Sequence, residues 1–554
     1  MSNFAGFSSV KLNKPQRSAF DLSHTKRVTA RMGELFPVLV EEAVPSDSFR
    51  GSTEILVRLA PLVAPIYDQI LLYVHFFFIP MRLLWEDWEE FITGGRLGVG
   101  IDPVTAPVPP HFDIGDMLAG DPGVFGKQGL PDYMGIPNLD DVDPTPANWD
   151  GLTLDLMPFV AYQLVYLEYY MDRNFTDGSD FFSQFPPLAS GVHSFSDSSP
   201  YLELRRRNYQ HDYFTSSLPF TQRGEEVLMP VQLGGNAPIY FEPVGAEVTA
   251  TASAIAQPGA VSVGYGILNN NGPADPAIPA GASLFVKGED FDGTSTSIND
   301  FRSAYALQVW LERNAVGGSR YTESTQAHFG VKPQDSRLNR PEYIGGGRIN
   351  VQISEVLSTA WANDGSADVP QANMAGRGIS YGNTNQFNYF CVEHGFILGI
   401  ASIVPVPSYQ QGLPRMFRRR SFLDYPWPTF AKLGEMEVHD YEIFVTPDAL
   451  TEDTDGNVPL FGYQSQYADW KYHCSSNAGG FRDVLNFWTL TRVFASAPAL
   501  GFVFNEIPGD VDDNIFAVPE VDGVGNYWLY IHNKISAKRP LPYFGTPNTL
   551  GFGS

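Results

Sequence analysis

Cysteine is almost absent from this sequence: Cys391 and Cys474 are the only two among 554 residues. Two thiols cannot make a disulfide framework, and although one bridge could form, free buried thiols fit the low count better. Long hydrophobic runs are missing as well. The longest, Ile70–Ile79, is interrupted by His75 and falls well short of the roughly 20 apolar residues a membrane span needs. Met1–Val10 is polar and small, without the apolar segment of a secretory leader. A protein made and assembled in a reducing cytoplasm is expected.

Site chemistry is also scarce. The ten histidines show neither HxH nor HxxxH ligand spacing. Glu393-His394 and His473-Cys474 are adjacent pairs, which on a strand point to opposite faces. Gly345-Gly346-Gly347 lacks the Lys-Ser/Thr that completes a phosphate loop and reads as a turn before a strand at Arg348. Asp140-Asp141-Val142-Asp143 and Asp453–Asn457 offer oxygen ligands, but neither completes a calcium loop, and both read as solvated acidic loops. No catalytic residue, metal site or cofactor is expected, and the protein reads as a non-enzyme.

Positive charge is in short supply: 36 Lys and Arg stand against 62 Asp and Glu, for a net charge of −26. A protein that simply coats nucleic acid should be basic. The distribution is uneven, however. Residues 1–33 carry Lys11, Lys14, Arg17, Lys26, Arg27 and Arg31 against Asp21 alone. The stretch from Ile531 onward carries Lys534, Lys538 and Arg539 with no acid, whereas residues 101–150 carry nine Asp and one Lys. Basic ends and an acidic middle suit a shell with one face toward DNA and one toward solvent.

What the sequence has in quantity is turns and short strands. Its 52 glycines and 43 prolines are spread along the chain, which favours many strands with long loops. Strand-like runs are Ile55–Ala60, Gln69–Ile79, Val227–Leu233, Arg348–Glu355, Gly395–Val404, Glu437–Val445 and Tyr527–Ile535. In Arg348–Glu355, Ile349, Val351 and Ile353 share one face. Gln69–Ile79 is apolar on both faces and is expected as a central strand buried from two sides. Helices are expected over Met81–Ile92, with Leu84, Trp85, Trp88 and Phe91 on one stripe, over Pro158–Asp172, and over Asn299–Asn314 with Gly317-Gly318 beyond its end. Residues 101–150, rich in Pro and Asp, and 234–298, dominated by Ala, Gly, Pro, Ser and Thr, read as insertions.

The run Arg17–Gly95 (RSAFDLSHTKRVTARMGELFPVLVEEAVPSDSFRG… to WEDWEEFITGG) resembles the start of the major capsid proteins of the Microviridae, small single-stranded DNA phages, in their gokushovirus-like branch. Leu204–Val231, Ser303–Gly347, His394–Glu435 and the tail ISAKRPLPYFGTP resemble the same family in the same order. The resemblance implies a mainly β fold: an eight-stranded viral jelly-roll β-sandwich, with large loop insertions containing a few helices. It divides the chain into a basic arm over 1–50 and a single jelly-roll domain over 51–554. Residues 234–298 take the place of the insertion that forms a protrusion at each threefold axis and contributes to host attachment.

The implied function is self-assembly into a sixty-subunit T=1 icosahedral shell around circular single-stranded DNA. The implied partners are further copies of the chain, the genome, a small basic DNA-packaging protein, an internal scaffolding protein, a pilot protein and a host surface receptor. The implied location is the virion, assembled in the bacterial cytoplasm. For the DNA-facing surface the candidates are Arg415, Arg418, Arg419 and Arg420, followed by Phe422, Tyr425, Trp427 and Phe430, because guanidinium groups pair with phosphates and rings stack on unpaired bases. Lys534, Lys538, Arg539, Lys11, Lys14, Arg17, Lys26 and Arg27 are the further candidates. An intersubunit salt-bridge cluster is the competing reading of Arg415–Arg420, and Arg205-Arg206-Arg207 is expected at a subunit contact. The abundant Trp, Tyr and carboxylates also admit a carbohydrate-binding β-sandwich, a phage lectin or glycosidase, although no carboxylate pair can be assigned at glycosidase spacing.

Overall fold

The computed structural model describes residues 17–93, 107–175, 187–224, 227, 240–241, 284–285, 298–317, 320–332, 334–357, 374–451, 458–517 and 525–543. The chain divides into two units, one of Met1–Thr221 with Gly318–Ser554 and one of Gln222–Gly317.

The larger unit is a β-sandwich. Its strands are β1 (Ser18–Asp21), β2 (His24–Ala30), β3 (Leu35–Ala43), β4 (Ser48–Leu59), β5 (Ile70–Pro80), β6 (Glu342–Val351), β7 (Ile353–Leu357), β8 (Met374–Asn383), β9 (Phe387–Phe390), β10 (Gly395–Pro405) and β11 (Tyr527–Arg539). The first sheet runs β1-β11-β4-β8-β7, with β2 also on β11 and β9 also on β4; the second runs β6-β5-β10-β3. β1 and β2 lie end to end along β11, and β8 and β9 lie end to end along β4. The first sheet is therefore four rows wide plus β7, facing four strands.

Alternating side chains weld the two sheets. Ile55, Val57, Leu529, Ile531 and Ile535 of the first sheet join Val38, Leu72, Val74, Phe76, Ile397 and Ile403 of the second in one buried cluster. Such fully buried side chains each contribute roughly 1.5–3 kcal/mol relative to exposure. β5 lies between β6 and β10, as its double-sided apolar run predicts. Its other face presents Phe77 and Ile79, with Leu398 and Ile400 of β10, to a second cluster built on Trp85, Phe112, Met117, Phe159 and Tyr162. A helical layer thus covers the outer side of the second sheet.

Several expectations change. Residues 18–43, inside the segment read as a basic arm, form β1, β2 and β3, and Ala30, Phe36 and Val38 are core residues. The acidic stretch is folded over 107–150: it holds Ile114–Gly120 and Leu130–Met134 as short helices and sends Phe112, Ile114, Met117, Leu118, Phe125 and Leu130 into the second cluster. Met81–Ile92 is not one helix. A 3-10 turn, Met81–Leu83, and a short helix, Trp88–Thr93, flank Trp85. The break follows from the burial of Trp85, whose indole Nε1 donates to Ser190 Oγ at 2.9 Å while Glu86 N donates to the Leu188 carbonyl.

Glu437–Val445 is a strand only to His439 (Glu435–His439). The chain then turns into Asp440–Ile443, because Glu442 Oε1 accepts from the His439 N–H and closes the turn. The tyrosine-rich helix runs Met157–Val165 and ends in a π turn, Tyr166–Tyr170. Of Val227–Leu233, residues 228–233 lie outside the described residues. In the smaller unit, Tyr240–Phe241 pairs antiparallel with Leu284–Phe285. The expected helix there spans Ile298–Gly317.

Candidate nucleic-acid interface

A two-sheet sandwich has two outer faces, and here they differ. The helical layer buries one. On the other, the outer side of the first sheet, Trp528, Tyr530, Arg58, Arg377, Ile379 and Tyr381 all stay exposed.

The pairing register sets these side chains in rows. Directly opposite residues of neighbouring strands place their side chains about 5 Å apart on one face. One row reads Thr29–Trp528–Arg58–Ile379 and the next Arg27–Tyr530–Leu56–Tyr381. A third reads Thr25–His532–Glu54–Asn383. Farther along β11, Lys534 lies opposite Ser52, Ser536 opposite Arg50 and Lys538 opposite Ser48. Among the described residues this face carries Arg27, Arg50, Arg58, Arg377, Lys534 and Lys538 against Asp21 and Glu54. Glu54 is already answered: Lys534 Nζ is ion-paired with it, and His532 Nδ1 lies 3.7 Å away. The Lys534 hydrogen bond holds the Glu54 carboxyl below the usual carboxylate range.

Rings and cations interleave as single-strand binding requires. The Arg27 guanidinium lies 5.9 Å from the centre of the Tyr530 ring. Beside it, a cavity of about 560 Å³ opens between Arg27, Arg58, Asp132, Tyr133, Trp528 and Tyr530, with Lys26 in its wall. Lys26 Nζ donates to the carbonyl oxygens of Pro37, at 3.0 Å, and of Tyr133. Burial pulls its ammonium down to about 8, against the attraction of Asp132.

The candidates from sequence therefore separate. Arg27, Lys534 and Lys538 lie on the open face and Lys26 borders it. Arg17 and Arg539 sit at its edge and are engaged there. Arg17 Nη2 donates to the Lys538 carbonyl at 3.3 Å. Arg539 reaches Asp47 at 3.3 Å and donates to the Glu42 carbonyl at 2.7 Å. Lys11 and Lys14 lie outside the described residues.

Arg415–Arg420 belongs to another place. Arg415 Nη1 donates to the Glu437 carbonyl at 2.6 Å and lies 3.6 Å from the Glu442 carboxylate. Arg418 covers the Tyr441 ring at 4.8 Å. Arg419 is ion-paired with Asp469 and stacks on Trp470 at 4.5 Å. These three guanidiniums have partners within the chain, and of the four arginines only Arg420 is exposed.

The Arg205–Arg207 triplet is likewise internal. Arg206 donates to the Ile507 and Met32 carbonyls. Arg207 donates to Ser402 Oγ at 2.7 Å and lies over the Tyr73 ring at 4.3 Å. It is half-buried, and the contacts seen for the triplet are within the chain.

Sequence reading missed Arg50, Arg58, Arg377, Tyr381, Trp528 and Tyr530. A signal was present: every second residue from Trp528 to Lys538 reads Trp-Tyr-His-Lys-Ser-Lys, while the intervening positions are mostly apolar. Among the described residues no group of three or more His, Cys, Asp or Glu could hold a metal ion. Asp143 uses its carboxylate on Thr145 N and Asn148 Nδ2, and Asp141 pairs with Lys127 at 3.5 Å. Residues 453–457 lie outside the described residues. No described helix is long and apolar enough to cross a membrane.

Comparison with known proteins agrees with this picture of a structural protein. The family described as capsid protein (F protein) matches residues 8–549. Capsid protein VP1 of Chlamydia phage 1 is 32% identical, over 98% of this chain and 97% of its own. Capsid protein VP1 of Bdellovibrio phage phiMH2K is 30% identical, over 99% and 98%. Capsid protein VP1 of Spiroplasma virus 4 is 26% identical, over 98% and 97%. None of these relatives supports the carbohydrate-binding alternative. Matched over nearly its whole length by phage capsid proteins, this β-sandwich chain belongs to the capsid protein (F protein) family of Microviridae-type phages and is a subunit of the virion shell.

Proposed function

We propose that the open face of the first sheet is the surface this capsid subunit turns toward its single-stranded genome. One observation carries the reading. A chain with a net charge of −26 concentrates Arg27, Arg50, Arg58, Arg377, Lys534 and Lys538 on one uncovered sheet face, interleaved with Trp528, Tyr530 and Tyr381. Cations there neutralise phosphates and release counterions, while the rings offer bases a stacking surface without sequence preference. Lys11 and Lys14, from the basic segment before β1, add to the charge available for the same role.

With Lys534 paired to Glu54, the remaining cations of this face neutralise only part of a genome. A small basic packaging protein therefore supplies the rest, and internal scaffolding and pilot proteins direct assembly in the host cytoplasm. The shell is a T=1 particle of sixty jelly-roll subunits, without enzymatic activity, and residues 234–298 form the outward protrusion that meets the host receptor. The family resemblance is the support for each of these finer features.

The test is charge reversal on the open face. Arg58→Glu with Lys538→Glu should leave shell number near wild type and lower the DNA content of purified particles severalfold. Wild-type DNA content in normally formed shells would remove this face from the genome.

A further inference from the structure

The segment Arg415–Leu433 holds a conflict. It exposes an unusual density of large apolar side chains, yet it is firmly built. Phe417, Phe422, Leu423, Trp427 and Leu433 are about half to two-thirds exposed, with Phe422 at 71%. Scattered apolar residues on a surface are ordinary, but a contiguous group marks a contact.

This segment is braced from inside and from beneath. Three 3-10 turns follow one another, Arg415–Arg418, Phe422–Asp424 and Pro428–Phe430. The Asp424 carboxylate accepts from the N–H groups of Arg420, at 2.6 Å, and Ser421, at 2.7 Å. Trp427 Nε1 donates to the Phe422 carbonyl at 2.8 Å, and Trp427 N donates to the Tyr467 hydroxyl at 3.2 Å. Arg415, Arg418 and Arg419 fasten the ridge to Glu437, Leu450 and Asp469. The dense basic run is thus the ridge's anchorage.

We propose that this ridge is a docking surface for a second copy of the same chain in the shell. The inference rests on the capsid reading but not on the DNA-facing one. Three points favour a copy of this chain as the occupant. A shell subunit must bury area against its neighbours. With Arg415, Arg418 and Arg419 held from within, the exposed cations of the ridge are Arg420 and Lys432, and the whole chain is at −26, so these two meet a surface of opposite average charge. Rings held in place by local hydrogen bonds lose little conformational freedom on docking, which suits an aromatic anchor.

The experiment uses the full chain expressed with its phage assembly partners. Phe422→Ser with Leu433→Ser changes two exposed side chains, and Arg420→Glu reverses one of the exposed cations. Expected are soluble subunits with wild-type circular dichroism and unfolding midpoint, and a yield of shells in sedimentation and negative-stain microscopy that falls more than tenfold. The DNA-face variants, in contrast, keep shell number and lose DNA. Shells at wild-type yield from the ridge variants would overturn the proposal, including the case in which another phage protein no longer copurifies with them. Hydroxyl-radical footprinting of wild-type protein gives a readout independent of variant folding. Phe417, Phe422 and Trp427 should be labelled severalfold less in shells than in dissociated subunits; equal labelling would also overturn the proposal.

Discussion

Asn533 of β11 and Val38 of β3 lie on facing sheets, and one hydrogen bond joins them through the core: Asn533 Nδ2 donates to the Val38 carbonyl oxygen at 3.0 Å. The amide oxygen is also used, accepting from Thr53 Oγ1 at 2.8 Å. Asn533 is fully buried, so it acts as a polar pin between two otherwise apolar layers. Asn533→Leu leaves the Thr53 hydroxyl and the Val38 carbonyl without these partners. Each buried unsatisfied group costs about 1–3 kcal/mol. Urea unfolding of the unassembled subunit should show a destabilisation of about 3 kcal/mol, and a change under about 1 kcal/mol would contradict the pin.

Asp512 makes the subunit sensitive to pH. Burial pushes its carboxyl up to about 7, with Asp513 adding to the rise and the Tyr527 hydroxyl and Arg206 opposing it. Between about pH 4 and 7 the folded chain therefore holds a proton that the unfolded chain has released. The stability this proton contributes is complete at the acid end and is lost as pH rises through 7. Asp512→Asn keeps the neutral form at every pH. Relative to wild type it should gain about 3 kcal/mol of unfolding free energy between pH 5 and pH 8, because the loss runs over about two pH units, each worth roughly 1.4 kcal/mol. The same wild-type-to-variant difference at both pH values would refute it.

The open sheet face predicts a salt-dependent, ring-dependent affinity. Trp528→Ala should weaken oligothymidine binding by the subunit by about 1–3 kcal/mol, the usual worth of one stacked base. Arg58→Gln should instead flatten the salt dependence, by about 0.7 in the log–log slope for a single phosphate that the side chain no longer neutralises. Filter binding across a series of salt concentrations separates the two. Identical slopes for wild type and Arg58→Gln would exclude a phosphate contact at that residue.

Gly412 lies just before the ridge, against the Asp440–Ile443 turn, and there is no room for a side chain. A Cβ there would stand 1.8 Å from the Glu442 carbonyl oxygen. The backbone is held on both sides of it: Leu413 N donates to the Tyr441 carbonyl and Val445 N to the Gln411 carbonyl. Gly412→Ala should cost about 3 kcal/mol through forced backbone displacement. Proteolysis within 415–433 should then speed up several-fold. An unchanged digestion pattern would show that the backbone yields without cost.

Both thiols should be silent in the native subunit. Burial pushes Cys391 and Cys474 each up to about 12, and both are free. Iodoacetamide at pH 8 should label neither until denaturant is added, because the thiolate is the nucleophile. Stoichiometric labelling of the native chain would contradict this.

The sandwich was legible wherever one strand carried its own signal. The runs containing β5 and β10 are apolar on both faces because each has a core on either side; Ile349, Val351 and Ile353 do share the core-facing side, but the run Arg348–Glu355 expected as one strand is divided between β6 of the second sheet and β7 of the first. β2 was not legible, because Lys26 and Arg27 look like an arm until β11 is known to lie beside them. The Trp85 stripe suggested a helix by spacing, but an indole partner 105 residues away decided the local conformation. The open face was half legible. Lys534 and Lys538 stood out as charges, while Arg58 and Tyr381 join them only through the register of β4 and β8. Arg415–Arg420 was legible as charge but not in its placement: a dense basic run says nothing about which carboxylates and rings will claim it.

β11 lies between β4 on one side and β1 with β2 on the other, yet some five hundred residues separate it from those strands in the chain. During synthesis β1, β2 and β4 leave the ribosome early and must wait for a central partner that arrives last. Until Tyr527–Arg539 emerges, the first sheet has a gap through its middle and its rows lack Trp528, Tyr530, Lys534 and Lys538 and the link to Arg27. On the genome-facing role proposed for this face, the position of one strand becomes a checkpoint in time: the complete contact surface belongs only to subunits whose synthesis has reached residue 539.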